Sequence, residues 1–150
     1  LGDLDAALVA TREQIVLLRR SPVSTRRLLG YALLNLAGIL TERGDLGDAL
    51  GAAKEGLPLV KEDGSAWIFG DHVALRTALA GRLRDAARIA GYADAAWAAK
   101  KATRQPNEGR ARDRLHAVLR EKLLPDELDR LLAEGARLSE DDACRLALED

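Results

Sequence analysis

The chain has 150 residues, which is enough for one domain with a hydrophobic core. Its 24 acidic and 23 basic side chains leave a net charge of −1, so no overall attraction to nucleic acid or to an anionic membrane is expected. Aromatic residues make up 3% of the sequence, while Ala and Leu dominate the apolar content. This composition favours helices over sheets, and no apolar run is long enough to span a bilayer.

Cys144 is the only cysteine, which excludes an internal disulfide and fits the reducing cytoplasm. No secretory signal peptide is recognisable. We therefore expect a cytoplasmic protein that does not act at a membrane. Because the sequence begins with Leu1 rather than Met, we also expect it to be a fragment of a longer chain.

Hydrophobic periodicity predicts helices along the whole sequence, and no β-hairpin signal interrupts them. Gly44, Gly81 and Gly135 are predicted to close helices, because glycine readily adopts the left-handed conformation. Asp45, Asn107 and Ser139 are predicted N-caps, as is Ser24 or Thr25 for the second helix, and Asp142 occupies the capping-box position after Ser139. The predicted helices cover 3–20, 24–43, 46–60, 66–80, 83–102, 107–124, 125–133 and a last segment after Ser139.

A glycine-led motif occurs three times, at about 40-residue intervals, and each copy leads into an alanine-rich helix. The copies begin Gly2-Asp3-Leu4, Gly44-Asp45-Leu46 and Gly81-Arg82-Leu83. A repeat of this length predicts a helical solenoid, in which each helix pair buries its apolar face on the next. Ala49 and Ala86 are expected at the closest contacts between paired helices.

The helical hairpins resemble tetratricopeptide repeats. Leu36-Ala37 lies where that repeat has Leu-Gly, Gly44 lies at the turn, and Ala49 and Ala53 lie where small residues let the helices approach. The third copy keeps Val73-Ala74, Gly81, Ala86 and Ala90. This resemblance implies an all-α, tetratricopeptide-like right-handed solenoid, with repeats over 1–104 and capping helices over 105–150 in a single domain.

Residues 25–150 also resemble the tail of large bacterial ATP-binding transcriptional regulators. The similar segments are Arg88–Ala95, Arg104–Glu108 and Leu131–Ser139, followed by Ala143 and Leu146–Glu149. Those regulators have a winged-helix DNA-binding head, an ATPase domain and a tetratricopeptide-like tail. The resemblance implies that this chain is the tail alone, since it has no Gly-rich phosphate loop.

No residue pattern predicts catalysis, a metal site or a cofactor. His72 and His116 lack a second His or Cys at ligand spacing, and His116 is expected on a solvated helix face. Asp71 and His72 are adjacent on a helix, so their side chains would diverge by about 100°. Cys144 is expected to be a buried, unreactive thiol.

Eight basic side chains lie within residues 100–122, and the following segment is acidic. A solvated or internally paired face explains this pattern better than phosphate binding does. Direct nucleic-acid contact is therefore not expected. The basic residues are Lys100, Lys101, Arg104, Arg110, Arg112, Arg114, Arg120 and Lys122.

The concave face of the predicted solenoid is the candidate binding site, because the first helix of each tetratricopeptide pair lines it. Tyr31 and Asn35 would face this groove from helix 24–43, and Asp71 and His72 from helix 66–80, with Trp67 at its mouth. Such a surface would bind a peptide or a small ligand. Alternatively, Trp67 only packs against the preceding helix. Position assigns Leu34, Gly38, Thr41, Ile68 and Leu75 to the same groove.

The N-terminal helix is the candidate self-association surface. It lacks the first helix of its own repeat, so Leu4, Leu8 and Ile15 are expected to remain partly exposed and to promote association.

Three functions are compatible with these observations to different degrees. The leading hypothesis is a non-enzymatic regulatory or protein-interaction module, the sensor or scaffold tail of a bacterial transcriptional regulator. The alternative is a stand-alone tetratricopeptide adaptor that binds a partner peptide. An enzyme is not expected, because no nucleophile–base or metal-ligand pattern is present.

Overall fold

The computed structural model describes residues 2–21 and 26–149. Within these ranges the chain contains helices and no strand, which confirms the all-α prediction. The helices are α1 (Gly2–Arg20), α2 (Arg26–Arg43), α3 (Leu46–Lys61), a 3₁₀ turn (Ala66–Phe69), α4 (Gly70–Leu79), α5 (Leu83–Ala99), α6 (Pro106–Lys122), α7 (Pro125–Ala136) and α8 (Glu140–Leu148).

The chain divides into two compact units between Ser65 and Ala66. The N-terminal unit contains α1–α3, and the C-terminal unit contains the 3₁₀ turn and α4–α8. The predicted division into repeats over 1–104 and capping helices over 105–150 remains a prediction.

In the N-terminal unit the three helices run antiparallel to their neighbours. Leu8 near the start of α1 packs with Leu40 near the end of α2 and with Ala49 at the start of α3. Ile15 packs further along with Ala32 and Leu33 of α2. These contacts bury the inner face of α1 against the α2–α3 hairpin.

The α2–α3 hairpin is close because two glycines face the opposite helix. A Cβ on Gly30 would lie 2.8 Å from Leu59 Cβ, and a Cβ on Gly56 would lie 3.0 Å from Leu33 Cβ. Ala49 is fully buried in the same hairpin; its place at the closest helix contact remains a prediction. Small side chains therefore set the distance between the two helices.

The glycine turns between helices are confirmed. Gly44 has a φ of +90° and Gly81 a φ of +93°, values that L side chains rarely adopt. The Gly81 turn connects α4 to α5, and Gly70 of α4 contacts Ala93 of α5, where an added Cβ would lie 2.8 Å away. Ala86 is fully buried on α5; its place at the closest helix contact likewise remains a prediction.

Helix α5 and helix α7 cross with direct backbone contact in the C-terminal unit. A Cβ on Gly91 would overlap the Leu132 carbonyl group and lie 2.9 Å from Leu132 Cα. A Cβ on Gly135 would likewise overlap the Arg88 carbonyl group. The prediction that Gly135 ends its helix is therefore wrong: α7 continues to Ala136, and Gly135 serves the crossing instead.

The predicted caps are confirmed only in part. The Ser139 hydroxyl accepts a hydrogen bond from the Asp142 amide at 3.1 Å, which confirms this N-cap. The Asp45 side chain makes no capping hydrogen bond. Gln105 rather than Asn107 precedes α6, because Pro106 suits the first helical position. The predicted cap at Ser24 or Thr25 lies outside the described residues.

Candidate functional site

The most highly charged buried region lies in the C-terminal unit, where α4, α5 and the start of α6 meet. Its centre is Asp71 of α4, whose side chain is 1% exposed. Arg104, in the segment before α6, donates to Asp71 at 2.8 and 3.3 Å. The same guanidinium donates to Asp94 of α5 at 2.7 Å. Arg104 thus joins two carboxylates from different helices.

Helix α6 adds two further side chains to this cluster. Arg112 donates to both carboxylate oxygens of Asp94, at 2.8 and 3.1 Å. One turn later, Nε2 of His116 lies 3.6 Å from Asp94 Oδ2, which is too long for a good hydrogen bond. We call Asp71, Asp94, Arg104, Arg112 and His116 the charge cluster.

The surroundings shift the pKa values of the cluster in different directions. Burial raises the pKa of Asp71, although hydrogen bonds from Arg104 oppose that shift. Burial also opposes ionisation of Asp94, but Arg112 and Arg104 outweigh it and lower the pKa of Asp94. Burial and the positive charge of Arg112 lower the pKa of His116. The neutral imidazole is therefore the favoured form near neutral pH.

Two tryptophans extend the charge cluster. Trp67 and Trp97 meet edge to face, with ring centroids 4.8 Å apart. The Arg104 guanidinium lies 5.2 Å from the centroid of Trp97, and Lys100 Nζ lies 5.9 Å from that of Trp67. Both cations are within the range of cation–π attraction. Trp67 therefore packs on Trp97 of α5, a later helix, whereas the alternative prediction places it against the preceding helix.

Two of the sequence-based expectations are wrong in this region. Asp71 does not line an open groove, because it is fully buried and bound by Arg104. His116 is not on a solvated face: it is 8% exposed, since α6 turns that side toward Asp94. His72 is half-buried, and its Nε2 lies 4.0 Å from Oε1 of Glu108. Asp71 and His72 point to different partners, as their spacing predicted.

The charge cluster is suited to holding helices together. Its two carboxylates face two guanidinium groups, so its formal charges balance. Buried ion pairs of this kind fix one arrangement of elements, because any other arrangement would leave a charge unpaired. Arg104 and Arg112 belong to the basic segment 100–122, and their pairing fits the internally paired reading of that segment.

The other predicted groove residues lie in the N-terminal unit or are buried, except Ile68, which is half-buried in the C-terminal unit. Asn35 is exposed, and Tyr31 is half-buried with the Arg27 guanidinium 5.1 Å from its ring centroid. Leu34, Gly38, Thr41 and Leu75 are buried and line no open surface. The structure therefore places Tyr31 and Asn35 in one unit and Trp67, Asp71 and His72 in the other.

A different groove is present within the N-terminal unit, between α1 and α3, with α2 as its floor. It encloses about 610 Å³. Leu33, Leu36 and Leu40 form the apolar floor, and Gly47 and Gly51 form the α3 wall. An added Cβ at either glycine would meet no atom within 4 Å. We call this feature the α1–α3 groove.

Opposite charges border the α1–α3 groove. Arg12 and Arg19 line the α1 side, and Asp48 and Glu55 line the α3 side. Arg19 and Glu55 pair directly across it at 2.7 Å. None of the sequence-based expectations includes this groove. Two glycines one turn apart inside a helix, such as Gly47 and Gly51, are nevertheless a sequence signal for a helix face without covering side chains.

The candidate self-association residues are mostly buried. Leu8 and Ile15 are each 6% exposed, and Leu4 is half-buried, so they form the inner face of α1. The exposed apolar side chains of α1 are Val9, Val16 and Leu17, at 58%, 45% and 67%. The expectation that Leu8 and Ile15 remain partly exposed is therefore wrong, because α2 covers this face of α1.

Within residues 2–21 and 26–149, no group of three or more His, Cys, Asp or Glu side chains is placed to hold a metal ion. No helix in the same ranges has the length and hydrophobicity needed to cross a membrane. Cys144 is buried and forms no disulfide. No protein-family model matches the chain, and a search of curated proteins and of solved structures finds no match.

Proposed function

We propose that the chain is a non-enzymatic protein-interaction module of tetratricopeptide-like helical hairpins. In this proposal it is the sensor or scaffold tail of a bacterial transcriptional regulator and acts in the cytoplasm. The α2–α3 and α4–α5 hairpins support the repeat architecture, since each turns at a glycine with positive φ. Buried alanines between the paired helices support it as well.

The α1–α3 groove is the single observation on which the interaction function rests. Its floor is apolar, its volume is about 610 Å³, and glycines keep one wall open. Peptide-binding grooves combine an apolar floor with a few polar groups that fix orientation. The charge cluster, by contrast, is occupied by its own side chains.

The charged borders define the occupant of the groove. Arg12 attracts acidic side chains and Asp48 attracts basic ones, while Arg19 and Glu55 already pair with each other across the groove. We therefore assign the groove to an amphipathic peptide of a partner protein. Such a peptide has apolar side chains toward α2, acidic residues along the α1 side and basic residues along the α3 side.

The test is a selection from a displayed peptide library, followed by fluorescence polarisation with the recovered peptides. We expect binders with the charge pattern just described, and we expect Gly51→Leu to abolish binding because the new side chain fills the groove. Gly109→Leu is the matched control, since a Cβ there also meets no atom within 4 Å but lies in the other unit. Peptides that bind both variants equally, or no recovered binders, would refute the assignment.

The regulator assignment is tested by the full-length gene. A winged-helix domain and an ATPase domain encoded upstream would support it, whereas a short open reading frame that begins near Leu1 would favour a stand-alone adaptor. In the first case ATP turnover belongs to the upstream domain. The purified chain is then expected neither to bind nor to hydrolyse ATP.

A further inference from the structure

We propose that the outer face of α1 docks a second copy of this chain, with the two α1 helices antiparallel about a two-fold axis. The face consists of Asp5, Val9, Arg12, Glu13, Val16 and Arg20, all exposed. Helical geometry places these residues within one stripe, because they recur at intervals of three and four. The stripe lies away from Leu8 and Ile15, which pack on α2 and α3.

The apolar part of the stripe has no cover in its own unit. Val9 is 58% exposed and Val16 is 45% exposed, one on each side of the charged pair Arg12 and Glu13. Leu17, 67% exposed, lies at the margin of the stripe. An axis between Arg12 and Glu13 would place Val9 of each copy against Val16 of the other. Removing such side chains from water favours association.

Charge complementarity identifies the occupant as a second copy. About the same axis, Arg12 meets Glu13 of the second copy, and the symmetry repeats this pair. Asp5 meets Arg20 of the second copy, again twice. A two-fold interface requires this kind of self-complementarity, because the same surface of both copies is in contact.

The charges involved are available for such pairing. Among the described residues, Arg12, Glu13 and Arg20 form no ion pair or side-chain hydrogen bond. Asp5 is 72% exposed and lies 3.2 Å from Arg43 of its own chain, which leaves its second carboxylate oxygen accessible. Because two single helices form a small interface, we expect a weak dimer that depends on protein concentration.

This inference concerns a different face of α1 from the peptide groove, although Arg12 and Val16 border both. Gly51→Leu fills the α1–α3 groove but leaves the α1 stripe intact, so it is expected to abolish peptide binding and to preserve dimerisation. If the wild-type chain binds peptide but does not dimerise, only the proposed α1 interface is refuted. The two proposals therefore fail by different results.

The test is sedimentation equilibrium of the chain and of two charge-reversal variants over a concentration series. Wild type is expected to dimerise, while Arg12→Glu and Glu13→Arg are each expected to lower the dimerisation constant at least tenfold by placing like charges opposite each other. An equimolar mixture of the two variants is expected to dimerise again, since one copy then presents two acidic and the other two basic side chains.

Further variants control for folding and for non-specific association. Val16→Asp is expected to abolish the dimer, whereas Leu124→Asp, at a side chain 75% exposed in the other unit, is expected to leave it unchanged. Circular dichroism of every variant should match wild type, because each altered side chain is exposed. A monomeric wild type at millimolar concentration, a mixture that stays monomeric, or dissociation by Leu124→Asp would overturn the proposal.

Discussion

The two units use charged side chains in opposite ways. In the N-terminal unit, ion pairs such as Arg26–Glu62 lie on the surface, with side chains 70% and 52% exposed. In the C-terminal unit, Arg104 and Asp71 are 19% and 1% exposed. Solvent screens the first kind of pair, so it adds little stability. The second kind cannot lose one partner without leaving a charge in a poorly solvated place.

The units also differ in their apolar surfaces. The N-terminal unit has the open α1–α3 groove and the exposed valines of α1. The C-terminal unit encloses its tryptophans and joins α6 to α4 and α5 through the charge cluster. In the proposed function, the N-terminal unit therefore offers surfaces to partners, while the charge cluster holds the helices of the C-terminal unit together.

Replacing Arg104 by Leu should give the largest effect. The change leaves the buried Asp71 carboxylate without its guanidinium partner, and loss of one member of a buried pair costs about 3–5 kcal/mol. Chemical denaturation followed by circular dichroism is the measurement, because helices of both units contribute to the signal. Arg26→Leu is the matched control and should cause no measurable loss. Equal losses would contradict the contrast between the units.

Replacing Gly91 by Ala should destabilise the C-terminal unit by about 1–3 kcal/mol, because the new methyl group would push α7 away from α5. Gly109→Ala adds the same methyl group in open space, and the better helix propensity of Ala should raise stability by up to about 1 kcal/mol. Thermal denaturation by circular dichroism distinguishes the two outcomes. A Gly91→Ala protein as stable as wild type would mean that the helices can separate without cost.

Lowering the pH below 6.5 should weaken the C-terminal unit through His116. Its pKa is lower in the folded chain than the ordinary value of 6.5, so the unfolded chain binds the proton more tightly. The free energy of unfolding therefore decreases as the pH is lowered. One such proton contributes at most about 1.4 kcal/mol per pH unit. The check is denaturation above and below pH 6.5 for wild type and for His116→Gln.

The variant should lose less stability than wild type over this range. The raised pKa of Asp71 has the opposite effect on stability at lower pH. Because Asp71 is present in both proteins, the difference between their pH profiles reports on His116. Identical pH profiles would show that the folded and unfolded chains bind a proton at His116 equally well.

Much of the fold could be predicted because its signals are local. Gly44 and Gly81 mark turns that need positive φ, and Ser139 supplies a hydroxyl to the first turn of α8. Apolar periodicity likewise gives the helices to within a few residues. These features depend on residues close together in sequence, so no knowledge of packing is required.

The site could not be predicted, because it depends on which helix face meets which neighbour. Asp71 and Arg104 are far apart in sequence, and only the placement of α6 brings them into contact. The charge-rich sequence of α6 predicts a solvated His116, yet Arg112 of the same helix points inward to Asp94. The sequence likewise predicts that Leu8 and Ile15 remain partly exposed, because it does not show that α2 covers this face of α1.

The crossing of α5 and α7 has a consequence for tracing related chains. Gly91 and Gly135 bring the main chains of α5 and α7 into direct contact. The crossing therefore requires the absence of a side chain at these two positions, rather than a particular side chain. Surrounding positions are free to exchange one apolar residue for another, whereas any side chain at these two would press against the opposite main chain. In a family whose overall sequence has diverged beyond recognition, this pair of glycines and the length of chain between them would be the last feature to disappear.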